Sequence, residues 1–160
     1  AGGLRQSEYS NVASAAAASE SDPAPWFCHG LNCPLYTSKC NTSDYEVRSY
    51  QLYKWSAARD DGIPGITKAM SHGFQKLFSY ISGSNSAKKS IPMTAPVLQT
   101  ISQDSTIGNV THFMMPYDYQ DQPLSSMSQP TDPDCFLTST PAMDVAVVSY
   151  GGYSSDSDVL

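Results

Sequence analysis

Between residues 44 and 56 the side chains alternate, with Tyr45, Val47, Ser49 and Gln51 on one side of an extended backbone and Glu46, Arg48, Tyr50 and Leu52 on the other. A period of two carried by aromatic and β-branched residues predicts a strand. From Ile66 the period changes, and Ile66, Met70, Phe74, Leu77 and Ile81 recur at helical spacing up to a Ser82-Gly83 stop. The helix is expected to pack this stripe on the sheet. Asp60-Asp61-Gly62-Ile63-Pro64-Gly65 supplies the turn before it, with carboxylates and a proline suited to a helix start. Residues 84–90 read as a polar loop and 93–101 as a strand interrupted by Pro96. Further strands are expected at 106–119, 135–139 and 143–150, and the Pro-, Ser- and Gln-rich stretch 120–133 is too long for a simple hairpin. Residues 1–24 hold one aromatic, Tyr9, among Ala, Ser and Glu, and predict a disordered tail.

The first strand has a blurred copy. Tyr45-Glu46-Val47-Arg48-Ser49-Tyr50-Gln51-Leu52-Tyr53-Lys54-Trp55-Ser56 returns at Asp144-Val145-Ala146-Val147-Val148-Ser149-Tyr150-Gly151-Gly152-Tyr153-Ser154-Ser155, each with Val two residues before a Ser-Tyr pair and a second aromatic three residues after it. Such spacing predicts a duplicated βα unit related by a pseudo-twofold axis. The second copy reads as incomplete, because only seven residues follow Tyr153. A sheet that has lost its usual cover is expected to self-associate through its edge.

Composition narrows the partners. Nine basic against fifteen acidic residues give a net charge of -6, which argues against nucleic acid, whose binding depends on Lys and Arg meeting phosphates. No apolar run approaches the roughly 20 residues of a membrane span. A chain of 160 residues suits one globular domain, placed at 25–160. Four cysteines and two sequons, at Asn41 and Asn109, point to a secreted glycoprotein in an oxidising compartment. The chain opens on Ala1, as expected where a signal peptide has been removed.

Several segments together carry a resemblance. Tyr45-Glu46-Val47-Arg48, Lys54-Trp55, Gly73-Phe74-Gln75-Lys76-Leu77-Phe78, Ile91-Pro92-Met93-Thr94-Ala95-Pro96-Val97, Phe113-Met114-Met115-Pro116 and Pro130-Thr131-Asp132-Pro133 occur in order between Trp26 and Tyr153. In this the chain resembles the SOUL / heme-binding protein family. The resemblance implies an α+β fold, a distorted barrel-like antiparallel sheet with flanking helix. It implies non-covalent binding of heme or a related porphyrin, without catalysis. Ser49 departs from it, standing where one heme-binding member has a histidine proposed to ligate iron. Ser49 favours the alternative, a secreted protein-interaction module of the same fold that has lost heme. A weaker class, effector binding or hydrolysis, rests on fold likeness alone.

The residues offer two modes of heme binding, an axial ligand or an apolar patch with basic groups for the propionates. By resemblance the second applies, with Arg48 and Lys54 as the basic pair and Met70 and Phe74 as apolar contacts, although the last two also belong to the helix stripe. His72 falls about 200° around the helix from Met70 and reads as exposed. His29 and His112 have no Ser-Asp partner nearby in sequence, and Ser86-Ala87-Lys88-Lys89 lies in a polar loop, so no catalytic residue is assigned. Cys28 and Cys33, with four residues between them, lack the second close ligand pair of a zinc site, and no metal site is assigned. A small Cys28 to Cys33 disulfide loop resembles what secreted members of the family carry after Trp-Phe. Cys40 and Cys135 would meet if the repeats pair, but four cysteines allow three pairings.

Overall fold

A computed structural model describes residues 24–60, 62–101 and 108–152. The tail expected at 1–24 lies outside the described residues except for Ala24, as do Asp61, Thr106 and everything from Tyr153 onward. The chain is α+β. A short 3-10 turn at Trp26–Cys28 precedes β1 (Tyr36–Asn41), β2 (Glu46–Tyr50), β3 (Tyr53–Arg59), α1 (Ile66–Ile81), β4 (Leu98–Ile101), β5 (Asn109–Met114), the single turn α2 (Tyr117–Gln120), a second 3-10 turn at Leu124–Ser126, β6 (Cys135–Thr140) and β7 (Met143–Val147).

The strands form two antiparallel sheets, β1-β2-β7 and β4-β5-β3-β6. Antiparallel sheets with a flanking helix are as the α+β expectation has them, and among the described residues the sheets do not close into a barrel. The strand expected at 44–56 is two strands, because Gln51 and Leu52 leave one sheet and the chain enters the other. Its partner breaks opposite, at Pro141-Ala142, where the proline has no N–H to give a ladder. The register is unbroken across the bend: Tyr53 faces Thr140 on one side and Tyr50 faces Met143 on the other. One bent two-stranded ribbon thus joins the sheets. The repeated strands are neighbours within it, Val47 against Ala146 and Glu46 against Val147, so β2 and β7 pair antiparallel as a pseudo-twofold requires.

Helix α1 lies on the four-stranded sheet, and its buried face is only partly the expected one, keeping Leu77 and Ile81 but not Met70 and Phe74. Ala69, Gly73, Leu77, Tyr80 and Ile81 are buried, whereas Met70 and Phe74 are about two-fifths exposed and Phe78 half exposed. Small residues decide this. A Cβ at Gly73 would stand 2.2 Å from Thr111 Oγ1, so the helix backbone presses on β5 where glycine and Ala69 permit it, and the larger side chains are displaced to the rim. The core beneath joins Ala58, Leu77, Tyr80, Ile81, Ile91, Phe113, Met115 and Met127. Asp60, expected to face the helix start, is instead buried, accepting a hydrogen bond from Thr111 Oγ1 at 3.3 Å and lying 3.0 Å from His72 Nδ1.

The polar loop at 84–90 is anchored rather than loose. Asn85 is buried, and its amide donates to the Tyr80 and Lys89 carbonyls while its oxygen accepts from Ser128. Pro96, after a cis Ala95-Pro96 bond, precedes β4 and does not interrupt it.

Candidate functional site

In the three-stranded sheet Tyr36 faces Tyr50 and Ser38 faces Arg48, so alternation places Tyr36, Arg48 and Tyr50 on one face. The Tyr36 and Tyr50 rings are 5.4 Å apart. The Arg48 guanidinium stands 4.2 Å from the Tyr36 ring centre and 5.6 Å from that of Phe27, a cation held between π faces. Its Nε donates to Glu46 Oε2 at 2.7 Å. Burial works against the Arg48 charge, but the Tyr50 and Glu46 side chains outweigh it and raise its pKa. The Arg48 hydrogen bond in turn lowers the pKa of Glu46.

Phe27, Tyr36, Glu46 and Arg48 line an open cleft of about 1050 Å³, together with Trp26, Ser49, Tyr53, Val148 and Tyr150. Trp26 is 84% exposed, an unusual state for the largest apolar side chain, and rests edge-on against Phe27. The turn that presents it is fixed by the Cys28–Cys33 disulfide. That loop is anchored in turn, since Tyr117 Oη donates to the Cys33 carbonyl at 2.7 Å and the Ala95 N–H donates to the Asn32 carbonyl. Burial pushes the Tyr36 phenol up against the pull of Arg48, and does the same to Tyr53, whose hydroxyl is bonded to Leu35.

The four residues assigned by resemblance do not meet. Arg48 is in the cleft. Lys54 sits on β3, where its Nζ donates to the Gln120 and Gln122 carbonyls, each at 2.5 Å, and closes off the end of α2. Met70 and Phe74 lie on the rim of α1, over the other sheet, with Phe74 edge-on to Phe113. Cys40 and Cys135 are not joined: the first is exposed on β1, the second buried on β6, and the two strands belong to different sheets, which corrects their assignment to disulfides. Burial raises the Cys135 thiol to about 12. Of the sequons, Asn41 is exposed at the end of β1, whereas Asn109 begins β5 half-buried and its Thr111 is fully buried.

A smaller cleft of about 320 Å³ lies beside α1, lined by Arg59, Asp60, Ile63, His72, Lys76 and Asp134. Its charges are largely spent on each other, Lys76 on Asp134 at 2.8 Å and His72 on Asp60. Among the described residues no cluster of three His, Cys, Asp or Glu side chains is placed to hold a metal ion, and no helix is long and apolar enough to cross a membrane.

Comparison with known proteins decides the family. A family model described as SOUL heme-binding protein matches residues 31–160. The chain belongs to the SOUL heme-binding family. It is 32% identical over 117 residues to Heme-binding protein 2 of Homo sapiens and 31% identical to that of Mus musculus, matches covering 69% of this chain and 54% of each relative. The chain thus spans about half the length of these curated relatives. The cleft suits the ligand class named by the family, a wide apolar plane with carboxylate arms, because it offers rings for the plane and one guanidinium for an arm.

Trp26, Phe27, Tyr36 and Tyr150, which line the cleft, were not assigned from sequence. The available signal was the pairing of Trp26-Phe27 with the cysteine that follows, which marks an anchored aromatic turn.

Proposed function

We propose that this chain binds heme or a related tetrapyrrole non-covalently in the cleft of the three-stranded sheet, performing no chemistry on it, in an extracellular setting. One observation carries the reading: the Arg48 guanidinium held between Phe27 and Tyr36 at the floor of an open aromatic cleft. Trp26 and Tyr150, both exposed on the cleft, offer faces for the ring, and Arg48 meets a propionate. Bound heme would supply iron for redox or ligand chemistry, while the residues here bind and orient. The Cys28–Cys33 bond and the exposed Asn41 sequon support the secretory setting.

The test is titration with hemin and with iron-free protoporphyrin, followed by Soret absorption and tryptophan fluorescence. Saturable binding of both is expected, weakened about tenfold or more by Arg48→Ala, which removes a charged hydrogen bond worth about 1.5–3 kcal/mol. Lys54→Met should leave affinity unchanged. Absence of saturable binding by either compound refutes the reading.

A second reading, the protein-interaction module, is favoured by the rim of α1, where Met70, Phe74 and Phe78 are exposed in succession. Self-association belongs with it: the outer edge of β7 has no partner strand among the described residues. Sedimentation at several concentrations tests this, and a monomer throughout removes it.

A further inference from the structure

The cleft carries an acid beside its base. Glu46 and Arg48 both line it, two residues apart on β2 and so on the same face of the strand. The Arg48 Nε–H donates to Glu46 Oε2 at 2.7 Å, and Ser38, opposite Arg48 in the β1–β2 ladder, bonds the same carboxylate through its side chain. These two hydrogen bonds, that of Arg48 foremost, hold the Glu46 carboxyl below the usual range, so its negative charge is fixed. Glu46 and Arg48 cancel each other, and the first carboxylate of a ligand leaves the floor of the cleft negative.

Among the described residues no further Lys, Arg or His lines the cleft. Lys39, on β1, is spent on Asp144 at 2.8 Å and lies outside the lining, and His29 stands beside Trp26, also outside it. Lys54 is turned to the Gln120 and Gln122 carbonyls. With its Nε–H on Glu46 and a side-chain hydrogen bond to Tyr50, Arg48 has the rest of its fork for one carboxylate. Phe27, Leu35, Pro96 and Val148 give the walls apolar stretches that cannot meet a charge.

We propose that Glu46 sets the carboxylate count of the ligand, making the cleft a site for tetrapyrroles whose few carboxylates lie on one edge and rejecting those that carry them all around the ring. The inference rests on the heme-binding reading above and narrows its ligand class. A dicarboxylic porphyrin puts one arm on Arg48 and the other in water at the open mouth, with its uncharged edge against the apolar walls. A ring with carboxylates on every edge has no such orientation. However it is turned, an anion meets Glu46 or is pressed against Phe27 and Val148, where it loses water and gains no partner. Two like charges about 6 Å apart in partly wet surroundings cost about three- to tenfold in affinity.

Apolarity alone would rank porphyrins in the same order, so the test turns on the charge of Glu46 and on salt. The full 160-residue chain is titrated with three iron-free porphyrins, the dicarboxylic protoporphyrin, the tetracarboxylic coproporphyrin and the octacarboxylic uroporphyrin, followed by tryptophan quenching. Wild type is expected to bind coproporphyrin about tenfold more weakly than protoporphyrin, and uroporphyrin more weakly still. Glu46→Gln, whose amide oxygen still accepts from Arg48, should strengthen coproporphyrin about three- to tenfold and protoporphyrin less than about twofold. In wild type the ratio of the two affinities should also fall by about half between about 0.05 M and about 0.5 M salt, because screening weakens repulsion between partly exposed charges. This second readout needs no variant. An unchanged ratio in Glu46→Gln overturns the proposal, as does a wild-type ratio that stays level or rises with salt. Equal wild-type affinity for protoporphyrin and coproporphyrin overturns it as well. Each of these outcomes, with protoporphyrin still bound, leaves the cleft reading standing, whereas failure to bind any of the three porphyrins removes both.

Discussion

The two sheets share one bent ribbon, yet its halves live in different surroundings. Along β3, Trp55, Ser56, Ala57 and Ala58 are all buried, whereas along β2 all five residues from Glu46 to Tyr50 are only half-buried. The four-stranded sheet has α1 over one face and contributes most of the core; the three-stranded sheet has an open cleft over part of its own. Burial of apolar area is the main source of stability, so cohesion concentrates in the first sheet and exposed aromatic surface in the second. A binding face must stay open, and here the same strand pair is closed at one end and open at the other.

The strongest way to break that contrast is Leu77→Ala. Leu77 is fully buried in the core under α1, and its truncation should cost about 2–5 kcal/mol in urea unfolding. A loss below about 1 kcal/mol would mean that the helix layer is not where stability resides.

Gly73→Ala sharpens the account of how α1 is seated. Helix propensity alone predicts a gain of about 1 kcal/mol, since glycine is the poorer helix former. The added Cβ would lie 2.2 Å from Thr111 Oγ1 and 2.3 Å from Asp60 Oδ2, so overpacking should win and destabilise by about 1–3 kcal/mol. The sign of the change, read from denaturant midpoints, decides between them.

A pH effect is expected from the same sheet. Burial lowers the pKa of His112, partly opposed by hydrogen bonds to the backbone of Leu98 and Val110. On acidification the unfolded chain therefore takes up its proton first, near the ordinary value of about 6.5, and stability falls as pH drops through that value toward the folded one. Stability measured from pH 8 to pH 5 should decline more steeply in wild type than in His112→Gln. Equal slopes would show that His112 is solvated.

The smallest effect belongs to the open sheet. Arg48→Ala should cost at most about 1 kcal/mol of stability, because the Glu46 pair and the ring contacts are partly wet. Set beside its expected effect on porphyrin affinity, this separates binding from cohesion. A loss as large as that of Leu77→Ala would make Arg48 part of the frame.

Much of the fold was legible because it follows from local periodicity. The helix was predicted from Ile66 to the Ser82-Gly83 stop, and it runs Ile66–Ile81. Most later strands fell near their predicted places, and the repeated strands do pair. What misled was size. The stripe of large residues on α1 looked like the core face, but a helix packs closest where its own side chains are smallest, and Gly73 and Ala69 define the true contact. The single strand expected at 44–56 hid a bend, since alternation continues through Gln51-Leu52 although the ladder changes sheets there.

For the site, the resemblance named Arg48, which lies in the cleft, and it implied the α+β class, while the strand repeat and the family motifs were legible in residue type and spacing. Only the tertiary structure decided which residues accompany Arg48. Lys54 is drawn away to the carbonyls of Gln120 and Gln122, Met70 and Phe74 face out from the opposite layer, and the rings of Phe27 and Tyr36 stand against the guanidinium, with Tyr50 hydrogen-bonded to the same side chain. The physical reason is register: Tyr36 meets Tyr50 through a ladder between β1 and β2, and a pairing across strands leaves no periodic trace in either strand alone.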